Sequence, residues 1–291
     1  MYIIKYKAIF IRFSIALVVG SFFLMNTYGI KRGIDFTGGS VVDITYKDAT
    51  PALSEEAFKA EEISLYKTGE NTYRFVSAKT YEEISPVITS IGNEGNKTPF
   101  DFTQVNTVGP TMGAEMTKKA IIALVVVVLA ILAFIAFSFR AVSLPVASWK
   151  YGVIAMVTLI HDIIVPTGVY VILSHKYGAE VDTLFVIALL TIIGISISDK
   201  IVVFDRIREN LKNGSKKHSF DEVVGMSLKQ TFTRSINTSV TVILALLALF
   251  FFGPSMTKWF TLTLIVGMVV GTYSSIFVAS PLLTVWNGKK S

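Results

Sequence analysis

Residues 191–210, TIIGISISDKIVVFDRIREN, set charges inside an apolar run. The run from 181 to 204 is apolar enough to cross a bilayer, for which roughly 20 residues suffice at about 1.5 Å rise each. It nevertheless carries Asp199 and Lys200 within it, and Asp205 and Arg206 at its end. On a helix at about 100° per residue, Thr191, Ser198, Asp199, Asp205 and Arg206 share one arc. Ile192, Ile193, Ile197, Val203 and Phe204 cover the remainder. Lys200 lies nearly opposite the polar arc and is expected to snorkel towards the membrane edge. A carboxylate in hydrocarbon costs at least ~2.5 kcal/mol, so Asp199 is expected to face a protein interior or a wet cavity. A neutral Asn or Ser would serve a purely structural contact, which puts the functional reading of Asp199 first. Lys200 and Arg206 read as topology signals, the usual role of basic residues near helix ends.

The composition agrees with a membrane protein. Of 291 residues 52% are hydrophobic, and mean hydropathy is +0.59. With no cysteine there is neither a disulfide framework nor a thiolate metal site. His161, His175 and His218 lie too far apart for a local metal motif, and no cofactor or catalytic residue is implied. Residues 31–119 hold 10 lysines and arginines against 13 acids, and the remainder holds 17 against 8. A basic excess beside membrane spans is a topology signal rather than a nucleic-acid footprint.

In chain order, the N-terminal apolar run to about Tyr28 follows Lys5, Lys7 and Arg12 and lacks a small-x-small cleavage site, which favours an uncleaved first span over a signal peptide. Residues 31–118 form the one sizeable soluble stretch. They open with GIDFTGGS (33–40), read as a turn linking span to domain rather than a phosphate loop, because G-x-x-x-x-G-K-[ST] is absent. Strands are expected at 41–46, 63–67, 72–76 and 100–108, with helices after Pro51 and over 81–91. That β-α-β-β-α-β order implies a small ferredoxin-like α+β domain. Five further spans are expected at about 120–139, 151–173, 181–204, 235–252 and 259–283. The third carries His161, Asp162 and Pro166, the last expected to bend it. His161 reads as a proton relay or as a histidine bonded to a neighbouring helix, and Asp162 is the harder residue to dismiss.

Residues 206–234 read as a basic cytoplasmic loop, with an interfacial helix over 220–229. Arg234, Asn237, Thr238 and Thr241 follow at i, i+3, i+4, i+7, one polar face on the fifth span. Gly267, Gly271, Ser275 and Ala279 repeat small residues along the sixth, a packing stripe. Placing both termini and the loops after spans two and four on one side collects 14 lysines and arginines there, against Lys176 and Lys258 in the two short opposite loops. Hence six spans, both termini and the tail 285–291 cytoplasmic, and residues 31–118 outside. Asp199 and Arg234 both lie towards the cytoplasmic side and are expected to be partners. Arginine does not deprotonate in practice, so the carboxylate is the switching group, with Asp162, Ser198, Asp205, Arg206, Asn237 and Thr238 as its polar surroundings. A gradient could then bias two conformations with different proton affinity.

Four segments carry a family resemblance. S-x-x-D-x-x-V-x-F-D-R-I-R-E-N over 196–210 resembles the fourth span of the SecF family of protein-export membrane proteins, within the RND superfamily. GIDFTGG resembles the start of that family's first extracytoplasmic domain. SLKQTFTRSINTS (227–239) and GTYSSIFVASPLL (271–283) resemble its fifth and sixth spans. The resemblance implies that Asp199 and Arg234 are the proton relay. It also implies a complex with SecD, association with the SecYEG channel and YajC, and a role for proton-motive force in moving preproteins across a bacterial cytoplasmic membrane. GISISD (194–199) stands where GYSIND is common, so Ser198 replaces an asparagine of the relay, and Lys200 replaces a frequent threonine. Other classes remain open: an RND exporter of small molecules or lipids, an intramembrane aspartyl protease using Asp162 and Asp199 as a dyad, and a scaffold without transport chemistry.

Overall fold

The computed structural model of the chain describes residues 2–47, 53, 55–93, 99–138, 147–214 and 218–287. The expected helix start at Pro51, the second span's end at Phe139 and Arg140, Lys216, Lys217 and the tail beyond Asn287 lie outside them. The chain divides into two units: Ile30–Ala123 with Leu173–Thr183, and Met1–Gly29 with Leu124–Ile172 and Leu184–Ser291.

The first unit holds β1 (Gly39–Tyr46), α1 (Glu55–Lys59), β2 (Ile63–Lys67), β3 (Thr72–Ser77), α2 (Tyr81–Asn93) and β4 (Phe100–Val108). All pairings are antiparallel, in the order β2-β3-β1-β4, which is the ferredoxin-like arrangement. Side chains alternate across a strand, so Val42, Ile44 and Tyr46 all point to one face of β1. There they join Phe75, Phe58 of α1, and Ile84 and Ile88 of α2 in a fully buried core. A ring such as Phe75 gains about 1.5–3 kcal/mol from this burial. On the opposite face Asp43 and Arg74 stand directly across from one another in register. The guanidinium donates to both carboxylate oxygens at 2.8 Å, a bidentate cross-strand pair.

Within GIDFTGGS, read as a turn linking span to domain, Ile34–Thr37 form one helical turn. Gly38 and Gly39 follow at φ 78° and 125°, where L side chains are strained, and a Cβ on Gly39 would lie 2.2 Å from the Ser77 carbonyl oxygen. The double glycine therefore lets the chain turn sharply into β1.

Among the described residues, six helices are long and apolar enough to cross a membrane. They are Lys7–Tyr28, Pro110–Ser138, Ser148–Tyr177, Thr183–Gly214, Phe220–Phe252, and a last one of Lys258–Ser274, a π turn at Ser275–Ala279, and Ser280–Asn287. Two expectations change here. The fourth span continues to Gly214, and the expected interfacial helix and fifth span are one helix starting at Phe220. A reciprocal capping box between Ser219 and Glu222 starts that helix, so most of the expected basic loop is helical. Within the second unit the third, fourth and sixth spans form the packed centre, their apolar windows 50%, 44% and 61% buried. The first, second and fifth are peripheral at 11%, 6% and 11%. Gly168 admits Ser21 of the first span, and Gly267 admits Ile192 of the fourth.

Candidate functional site

Two polar clusters occupy the centre of the spans, and consecutive residues of the fourth span feed them. The first is sealed. Asp162 of the third span and Lys200 of the fourth are both 0% exposed, with Lys200 Nζ 2.5 Å from Asp162 Oδ2. The same oxygen accepts from Ser196 at 2.5 Å and from Ser274 of the sixth span at 2.7 Å. Ser196 also accepts from Lys200 Nζ. His161 Nδ1 lies 2.9 Å from Asp162 Oδ1, so its partner is its sequence neighbour and not another helix. Gly271 makes room, since a Cβ there would lie 3.2 Å from Ser196 Cβ. Lys200 therefore does not snorkel. A buried ammonium is tolerated here because a carboxylate and a hydroxyl meet it. Asp162 makes its own contacts within this cluster, and one of its partners, Ser196, also lines the cavity of Asp199.

The second cluster is open. Asp199 accepts from Ser235 of the fifth span at 2.5 Å through Oδ1, and from Ser275 of the sixth through Oδ2. It lines a cavity of about 250 Å³ with Ser196, Ser198, Arg234, Thr238, Gly267 and Thr272. That volume holds several waters. Arg234 lines the cavity but makes no ion pair with Asp199 among the described residues. Arg234 and Val202 also line a second recess of about 400 Å³, beside Asp205, Arg206, Glu209 and Gln230. In that recess Arg206 donates to Gln230 at 2.7 Å and to Glu209 at 2.6 Å, and Arg208 lies 3.7 Å from Asp205. Asn237 is exposed on the same helix face as Arg234.

The small-residue spacing marks Ser275 as packing alone, and no sequence pattern singles out Ser235. Both are direct partners of Asp199. Ser235 sits next to Arg234 in the quoted SLKQTFTRSINTS string, which was the available signal. The π turn that begins at Ser275 shifts the sixth span's register, which no local pattern announces.

In the domain unit, GIDFTGG does local work as well. Gly33 N–H donates to Val181 O at 2.8 Å, and Val181 N–H to Lys31 O at 2.9 Å. Asp35 Oδ2 accepts from the Thr183 N–H at 2.9 Å, at the first residue of the fourth span's helix, where a carboxylate is favoured. The strap 178–182 thus runs along the sheet unit, with half-buried Glu180 near Arg74, Lys31 and Asp182. Burial pushes Glu180 up to about 7, against the lowering pull of Arg74 and Lys31 and with a further rise from Asp182.

Comparisons with known proteins converge. Residues 89–289 match the family model of the protein export membrane protein SecD/SecF, C-terminal, and residues 23–50 match the SecD/SecF GG motif. The protein translocase subunit SecF of Thermobaculum terrenum is 39% identical over 99% of this chain and 94% of its own. That of Anaerolinea thermophila is 34% identical over 96% of this chain and 92% of its own. The crystal structure of SecDF, a translocon-associated membrane protein from Thermus thermophilus, superposes with TM-score 0.84 at 29% identity over 99% of this chain. A second SecDF structure, in a super-membrane-facing form, gives 0.69 at 30% identity over all of it. This chain spans 39% of the length of each of those solved chains. By these matches the chain belongs to the SecD/SecF family of protein-export membrane proteins.

Proposed function

We propose that the chain is the SecF-type accessory subunit of a Sec translocase in a bacterial cytoplasmic membrane, using the proton-motive force through Asp199 to promote preprotein translocation and release. The observation that carries the reading is a half-buried carboxylate, held by two hydroxyls, in a cavity that also contains an arginine with which it is not paired. Hydroxyl donors favour the charged carboxylate only moderately, whereas a guanidinium brought into contact would favour it strongly. A movement that joins or separates Asp199 and Arg234 therefore changes the proton affinity of the site, and a gradient biases that movement.

The fifth span supports a partner. It is mostly uncovered, yet its exposed face carries Arg234, Asn237 and Thr238. Polar groups facing hydrocarbon are costly, and a homologous six-span SecD-type subunit would cover them and complete the conduction path. SecYEG, YajC and the preprotein complete the assembly, and basic-residue asymmetry puts residues 31–118 on the extracytoplasmic side. A protease dyad does not suit this geometry. Asp162 has an oxygen committed to Lys200, and the two aspartates have no partner in common among the described residues.

The test is preprotein translocation by vesicles containing the chain and its partner, with and without an imposed proton gradient. Asp199→Asn is expected to insert normally and to lose the gradient-dependent component. Full gradient stimulation in that variant would refute the reading.

A further inference from the structure

We propose that Lys200 and Asp162 are positioning residues: their buried ion pair sets the rotation of the fourth span and so aims Asp199 into its cavity. The inference rests on the relay reading of Asp199 and adds to it a device that fixes the relay's direction.

Neighbouring residues on a helix point about 100° apart, so Asp199 and Lys200 must face different surroundings. They do. Asp199 reaches Ser235 and Ser275, while Lys200 reaches Ser196 and Asp162. The sixth span repeats the division with consecutive residues, Ser274 bonding to Asp162 and Ser275 to Asp199. Any rotation of the fourth span about its axis therefore disturbs both clusters together.

The two sets of contacts differ in what they resist. The sealed set joins two opposite full charges, both 0% exposed, on two different helices. Rotating Lys200 away would strand an ammonium and a carboxylate in an apolar interior, where each is costly alone. The open set consists of hydroxyls beside a cavity, and water can replace either of them. The sealed pair therefore fixes the angle, and Asp199 follows it. Movement that brings Arg234 to Asp199 is then made by the fifth span or a covering partner, against a fourth span held in place.

The chain has no cysteine, so a single introduced thiol reports without background. Ser198 is exposed beside the cavity and Ile197 is 7% exposed, so Ser198→Cys and Ile197→Cys read the helix angle. The full chain in membranes, with its partner, is treated with a water-soluble maleimide. In the otherwise unchanged chain Ser198→Cys reacts faster. Adding Lys200→Met is expected to lower the ratio of the two rates about tenfold, whereas Lys200→Arg keeps it. Should Lys200→Met fail to fold, the Asp162→Leu/Lys200→Leu double variant, which leaves no buried charge behind, is expected to show the same loss. An unchanged rate ratio in inserted, monodisperse variants overturns the proposal. Labelling needs no transport, so failure of the relay reading shows separately, as full gradient stimulation of Asp199→Asn.

Discussion

Asp199 and Lys200 are adjacent in sequence and opposite in circumstance. Lys200 lies in a closed cluster opposite the Asp162 carboxylate, and Asp199 opens on a cavity whose wall holds Arg234, an arginine without an ion-pair partner among the described residues. Both cost free energy to place in a membrane. The difference shows what that cost supports in each case. A fully buried pair held by Ser196 and Ser274 is stiff, whereas a carboxylate held by two hydroxyls beside a cavity has room for water within reach. On the proposed reading, one helix carries an anchor and a switch on successive residues.

Removing half of the anchor should have the largest effect on stability. Asp162→Ala leaves Lys200 buried and unpaired and is expected to cost about 3–5 kcal/mol, read as a fall in thermal unfolding midpoint in detergent. Asp199→Ala is expected to cost only about 1–2 kcal/mol, because cavity water can satisfy Ser235 and Ser275. Equal losses would erase the distinction between the two clusters.

A methyl group placed at a glycine lining the cavity tests how tightly the fourth and sixth spans pack beside Asp199. A Cβ at Gly267 would lie 2.2 Å from Ile192 Cδ1 and 2.3 Å from its Cγ1, so Gly267→Ala forces the fourth and sixth spans to adjust. The expected cost is about 1–3 kcal/mol, measured by unfolding, with reduced translocation. Gly271→Ala, 3.2 Å from Ser196 Cβ, needs a shift of only tenths of an ångström and should cost less.

The smallest effect concerns the strap before the fourth span. Glu180 is raised from its ordinary 4.5 to about 7, so folding favours its protonated form. Its contribution is fully present below the ordinary value and is lost as pH rises through about 7. Hydrogen exchange at the Val181 and Thr183 amides, corrected for intrinsic rate, should therefore quicken across that range. Glu180→Gln should remove the dependence, leaving exchange set by Asp35 and Lys31 O alone.

Much of this was legible from the chain. The four strands and two helices of the domain announced themselves by alternation and turn residues, and the spans by length and hydropathy. Asp199 stood out because a carboxylate in an apolar run demands an explanation. Lys200 was misread for a physical reason: its partner lies 38 positions away on another helix, and snorkelling is the only remedy a single helix offers. Asp35 capping Thr183, 148 positions on, is hidden in the same way. The start of the fifth helix was available locally in Ser219–Glu222, an S-x-x-E capping signal, but the basic residues around it suggested a loop.

The division between anchor and switch is tested most directly by infrared titration of the carboxyl groups in the reconstituted chain. Spectra of Asp199→Asn and Asp162→Asn are subtracted from those of the unchanged protein. The account predicts a carboxyl band that appears on acidification, is missing in Asp199→Asn and persists in Asp162→Asn. A titrating band that vanishes with Asp162 and survives the loss of Asp199 would contradict it.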